Sequence, residues 1–141
     1  MVTITPAEAE AAGGRGDFGP LVALVRGGSE RAKEQAAAAL RNLAVNADNQ
    51  VTIAAAGAIE PLVALVRGGS EGANAQAAAA LWNLADNADN QVKIALAGGF
   101  WPMLMHSPIL FLLFLLFPAH AVHDLGLLAV SYTHLTLPTK A

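Results

Sequence analysis

The chain contains no cysteine. That removes disulfides, thiolate nucleophiles and cysteine-ligated zinc, and is compatible with cytosol or nucleus, the location expected. It also lacks a basic excess: 8 Lys and Arg stand against 11 Asp and Glu, for a formal charge of −3. Phosphate backbones are bound through clustered Lys and Arg, so nucleic acid is not an expected partner. Histidine is missing before residue 106, which leaves no nucleophile–base pair to assemble there, and no catalysis is expected. Gly-Gly pairs occur without the lysine and preceding strand that a phosphate-cradling loop needs. Met1–Glu10 has neither the basic start nor the apolar run of a signal peptide. Val2 stands where N-terminal lipidation needs Gly. No cofactor and no metal is expected.

What is present divides near residue 101. The first hundred residues are rich in Ala, Asn and Gly and carry nearly all the charge. Beyond Trp101 the only fully charged side chains are Asp124 and Lys140, while all four His fall there. The first part repeats itself. Shifted by 41 residues, Gly16–Ala56 aligns with Gly57–Ala97 at about 31 identities. Pro20–Glu30 returns unchanged as Pro61–Glu71, Gln35–Leu40 as Gln76–Leu81, and Asn46–Val51 as Asn87–Val92. A helical period near 40 residues belongs to the solenoids. The expected divisions are a lead-in or partial first helix over 1–15, copies over 16–56 and 57–97, and a partial third from 98.

Punctuation divides each copy into three helices. Asp48 is expected to cap a short helix over Asn49–Ala56, which Gly57 stops in the left-handed conformation. A second helix is expected to open with Pro61 at its first position, where the missing N–H costs nothing, and to end at Gly68-Gly69. Ser70 then caps the longest helix, roughly Glu71–Ala85, with Glu71 favourably placed against the dipole. No strand alternation is present. On the third helix of the first copy, Ala32, Ala36, Ala39, Leu40 and Leu43 share one face and Gln35, Ala38, Asn42 and Asn46 the opposite one. The apolar face is mostly Ala, so Leu21, Leu24, Val25 and Ile53 must supply bulk, and neighbouring copies must stack to bury it.

Gly57-Ala-Ile-Glu-Pro-Leu-Val-Ala-Leu-Val-Arg-Gly-Gly-Ser70 followed by Ala80-Leu-Trp-Asn-Leu-Ala85 resembles the armadillo repeat, most closely catenin-like and plant or protist arrays. The resemblance covers about Gly16 to Pro102. It implies an all-α fold, a right-handed solenoid of three-helix units whose third helices line a concave groove. The implied function is a protein-interaction scaffold that binds an extended partner segment, working as a monomer within a longer array. In the family an Asn of the third helix forms a ladder along that groove, and the matching positions are Asn42 and Asn83. An amide offers donor and acceptor, so it can engage a partner's main chain without reading its side chains. Packed helices lie ~8–10 Å apart and an extended chain advances ~3.3 Å per residue, so one Asn per unit meets the peptide every two or three residues. The alternative is that these Asn brace a neighbouring unit or face water.

Gln35, Gln76, Asn46 and Asn87 share the Asn stripe and join the candidate partner-binding residues. Between copies, Arg31, Glu34, Arg41 and Val45 become Gly72, Ala75, Trp82 and Asp86. This second stripe reads as a specificity rim or as a drifting solvated face. Arg41 and Trp82 are its candidates, and Trp82 is either a binding anchor or packing for the next unit. Import receptors of the importin-alpha kind carry a Trp four residues before the ladder Asn. Ala38 and Ala79 stand there instead, which argues against a receptor for nuclear-localisation signals.

The pattern fails after Pro102. Ile109–Phe117 is an apolar run bounded by Pro108 and Pro118, too short for the ~20 residues of a membrane span. Ser131–Thr139 resembles a tail on unrelated conceptual translations that reads sequencing adapter as codons. Residues 103–141 are therefore expected to be frameshift- or adapter-derived, or disordered. His120, His123 and Asp124 lie in this segment without a helix pattern to support a metal cluster. Two other functions fit the sequence: the recognition part of a larger armadillo-containing ubiquitin ligase, and an adaptor tethered to a membrane by the apolar tail, though no membrane partner is expected.

Overall fold

The computed structural model describes residues 4–99. The apolar run, the histidines and the terminal Ser131–Thr139 all lie outside the described residues. Within them the chain forms seven helices and no strand: α1 (Pro6–Gly14), α2 (Gly19–Gly27), α3 (Glu30–Leu43), α4 (Ala47–Ala55), α5 (Ile59–Gly68), α6 (Glu71–Leu84) and α7 (Ala88–Leu96). They group as α1–α2–α3 and α4–α5–α6, with α7 opening a third group. The long helices α3 and α6 pack side by side, and each also packs on the helix before it. This is an α-solenoid of stacked three-helix units.

Local chemistry explains the helix ends. Thr5 and Glu8 form a capping box at α1: the Thr5 amide donates to Glu8 Oε2 at 2.9 Å and the Glu8 amide donates to Thr5 Oγ1 at 3.3 Å. The Thr5 backbone amide first, and its hydroxyl second, hold the Glu8 carboxyl below the usual carboxylate range. Ser29 and Ser70 cap α3 and α6 through the amides of Ala32 and Ala73. Gly16, Gly57 and Gly98 recur at the copy spacing with φ of +89°, +83° and +76°, the left-handed stop read from Gly57.

Two helix starts differ from expectation. The cap of α4 is Asn46, whose Oδ1 accepts from the amides of Asp48 at 2.9 Å and Asn49 at 3.2 Å. Asp48 falls inside the first turn, where its charge still suits the dipole. Helix α5 begins at Ile59, so Pro61 is its third residue. That amide has no intrahelical partner either, and the proline is tolerated for the same reason.

The core is built as the Ala-rich face requires. Ala36, Ala37, Ala73, Ala77 and Ala80 are fully buried and let helices approach closely, while Leu21, Leu24, Leu40, Ile53, Leu62, Leu81 and Leu84 fill the space between them. Val25 is buried with them and Leu43 packs partly buried against the cluster. Polar pins close the corners between groups. After α3, Asn49 Nδ2 donates to the Leu43 carbonyl at 3.0 Å and Gln50 Nε2 to that of Ala44 at 2.9 Å. After α6, Asn90 Nδ2 reaches Leu84 O at 3.0 Å and Gln91 Nε2 reaches Ala85 O at 2.8 Å. These carbonyls lie at or just past the helix C-termini, where the regular pattern supplies too few donors. Asn90 also donates to Gln50 O at 3.0 Å, joining consecutive groups. On the second helices, Arg26 Nη2 donates to Gly57 O at 3.4 Å and Arg67 Nη2 to Gly98 O at 2.9 Å. Each arginine thus ties its own unit to the left-handed stop of the next.

Candidate functional site

Helices α3 and α6 set Asn42 and Asn83 at equivalent positions on neighbouring elements. Asn42 is exposed and Asn83 partly buried. Asn83 Nδ2 donates to the Arg41 carbonyl at 2.9 Å, in the last turn of α3, so the amide braces the unit before it. A carbonyl can only accept, which turns Asn83 Oδ1 away from this contact. Arg41 organises the rest. Its Nε and Nη2 donate to Asn42 Oδ1 at 3.3 and 3.2 Å, and its Nη1 donates to Gln76 Oε1 at 2.6 Å. Arg41 therefore links both third helices: its guanidinium gathers Asn42 and Gln76, and its main-chain carbonyl accepts from Asn83.

The copies are not equivalent here. Gln76 is held by Arg41, while Gln35 is exposed and has no side-chain partner among the described residues. Trp82 occupies in α6 the position that Arg41 holds in α3, and is 52% exposed.

Asn46 and Asn87 need correction. The stripe drawn through Gln35, Ala38, Asn42 and Asn46 ends at Asn42, because α3 stops at Leu43. Asn46 caps α4 and Asn87 caps α7, where Asn87 Oδ1 accepts from the Asn90 amide at 3.1 Å. Their acceptor oxygens are engaged within the chain.

The variable stripe is also partly structural. Glu34 reaches across to α6, and a Cβ added to Gly72 would lie 2.7 Å from its carboxylate. Glu30 likewise accepts from the Ser70 amide at 3.3 Å while pairing with Lys33 at 3.3 Å. Both carboxylates sit at the positive end of α6. The change from Arg31 to Gly72 thus leaves room for a neighbour's side chain. Sequence reasoning missed these links, along with Arg26, Arg67, Asn49 and Asn90. Arg26 and Arg67, and Asn49 and Asn90, recur at the copy spacing, which was the available signal; Glu34 does not recur.

Neither of two open depressions beside α5 is lined by any of the eight candidate residues. Among the described residues no group of His, Asp and Glu could hold a metal, and no single helix is long and apolar enough to cross a membrane.

Residues 46–86, the span of α4, α5 and α6, match the family model of the Armadillo/beta-catenin-like repeat. This segment of the chain is an armadillo-type repeat. No curated protein and no solved structure matches it. Armadillo repeats are, in general, protein-interaction scaffolds. The matched span begins at the Asn46 cap, so α4 is the first helix of its armadillo unit and α6 the third.

Proposed function

We propose that the armadillo face formed by α3 and α6 binds an extended segment of a partner protein along a groove, through the amides of Asn42 and Asn83. The observation that carries this reading is the pairing of these two Asn on adjacent third helices, each with one end of its amide unengaged among the described residues. Asn42 offers Nδ2 as donor and Asn83 offers Oδ1 as acceptor, which matches the alternating carbonyls and amides of a main chain. Gln76 and Gln35 extend the polar row, and Trp82 supplies an exposed apolar surface beside Asn83. Asn46 and Asn87 are left to capping. The role is that of a binding module working within a longer array in cytoplasm or nucleus.

The test uses a peptide selected on the intact chain from a displayed random library. Asn42→Ala and Asn83→Ala should each weaken its binding by roughly 1–3 kcal/mol, the cost of leaving a partner amide unpaired. Unchanged dissociation constants for both variants, with helical content intact, would remove the pair from the site.

A further inference from the structure

We infer that Arg41 makes this face selective for a partner segment carrying an acidic side chain, whose carboxylate docks on Arg41 between Asn42 and Gln76. The inference rests on the groove reading and adds the chemistry of the ligand.

The only ion pair among the described residues is Lys33–Glu30. Arg41, partly buried, has no carboxylate within ion-pair distance among them. Its neighbours are neutral amide oxygens, Asn42 Oδ1 and Gln76 Oε1. These bonds satisfy some guanidinium N–H groups and leave the charge uncompensated. They also orient the surroundings. A guanidinium has no acceptor, so both amides must turn their oxygens towards it and their NH2 groups away. The result is a cation whose remaining guanidinium N–H donors have no acceptor among the described residues, beside two amides whose oxygens are already engaged. A carboxylate, which only accepts and can take two parallel N–H bonds from arginine, is the complementary group. Glu34, the nearest acid along α3, lies seven residues away and faces Gly72 of α6. The second copy carries Trp82 in place of Arg41, so the cationic spot occurs once and sets a register: an acidic residue at Arg41 and an apolar one further along at Trp82.

The intact chain is titrated with fluorescein-labelled dodecapeptides of alternating Gly and Glu, Gly and Gln, or Gly and Lys, read by anisotropy at low ionic strength. The Glu peptide should bind about 10-fold tighter than the Gln peptide, with the Lys peptide weakest. Arg41→Gln should erase the difference between Glu and Gln peptides. Asn42→Asp, which sets a carboxylate beside the guanidinium within the chain, should erase it too, with far-UV circular dichroism unchanged. Equal binding of Glu and Gln peptides to the unmodified chain would overturn the acidic preference while leaving the groove reading in place. A preference that survives Arg41→Gln would overturn it as well. Failure of every peptide to bind would overturn both.

Discussion

Asn90 and Asn49 are the same residue in consecutive copies, and they should differ sharply when removed. Asn90 is 1% exposed and its Nδ2 donates to both Gln50 O and Leu84 O at 3.0 Å. Asn49 is partly buried and donates only to Leu43 O at 3.0 Å. A net ~1 kcal/mol per bond, with up to ~1 kcal/mol for the space left in a packed interior, gives about 2–3 kcal/mol for Asn90→Ala. Asn49→Ala should cost about 1 kcal/mol on the same basis. With a urea slope of ~1.5 kcal/mol/M, the midpoint should fall by ~1.3–2 M for the first and ~0.7 M for the second. Asn90→Asp sharpens the test. It keeps the volume but sets an acceptor against two carbonyls, so it should be worse than Ala. The assay is urea unfolding followed by circular dichroism. Equal shifts for Asn49→Ala and Asn90→Ala, or an Asp variant milder than Ala, would refute the reasoning.

Gly57→Ala and Gly98→Ala should each lose ~1–2 kcal/mol in the same assay, because their φ values of +83° and +76° suit no Cβ. Gly68→Ala, with open space around its Cβ position, should be neutral or slightly stabilising and serves as the control. The depressed Glu8 pKa means that the α1 cap contributes above the unfolded-state pKa of this carboxyl and is lost as pH falls through the folded value. Glu8→Gln should therefore flatten the acid limb of amide-exchange protection in α1, and an unchanged profile would dismiss the box. Inserting a further copy of residues 57–97 after Ala97 should raise the melting temperature and sharpen the transition, since each added copy brings a new interface; a lower melting temperature would contradict nearest-neighbour stacking.

Much of this fold is legible in the sequence because its signals are local and doubled. Ser29 and Ser70, Gly16 and Gly57, and the Ala stripe on α3 announce the helices twice, 41 residues apart. The missed cap at Asn46 has a simple cause. Asn-Ala-Asp-Asn offers several capping side chains in a row, and composition does not say which one the preceding turn leaves free to bend back. The face was less legible than the fold. Asn42 and Asn83 are identical in sequence, yet one is held by Arg41 through its oxygen and the other holds Arg41's carbonyl through its nitrogen. That asymmetry comes from order in the stack, which a comparison of the copies alone does not contain.

The carbonyl ends of α3 are finished by Asn49, Gln50 and Asn83, all contributed by residues that come later in the chain. Arg26 works in the opposite sense, from the earlier unit to the Gly57 carbonyl of the later one. Consecutive storeys are thus latched from both sides: the later finishes the carbonyl ends of the earlier, and the earlier holds the glycine stop of the later, so the two should loosen together rather than one at a time.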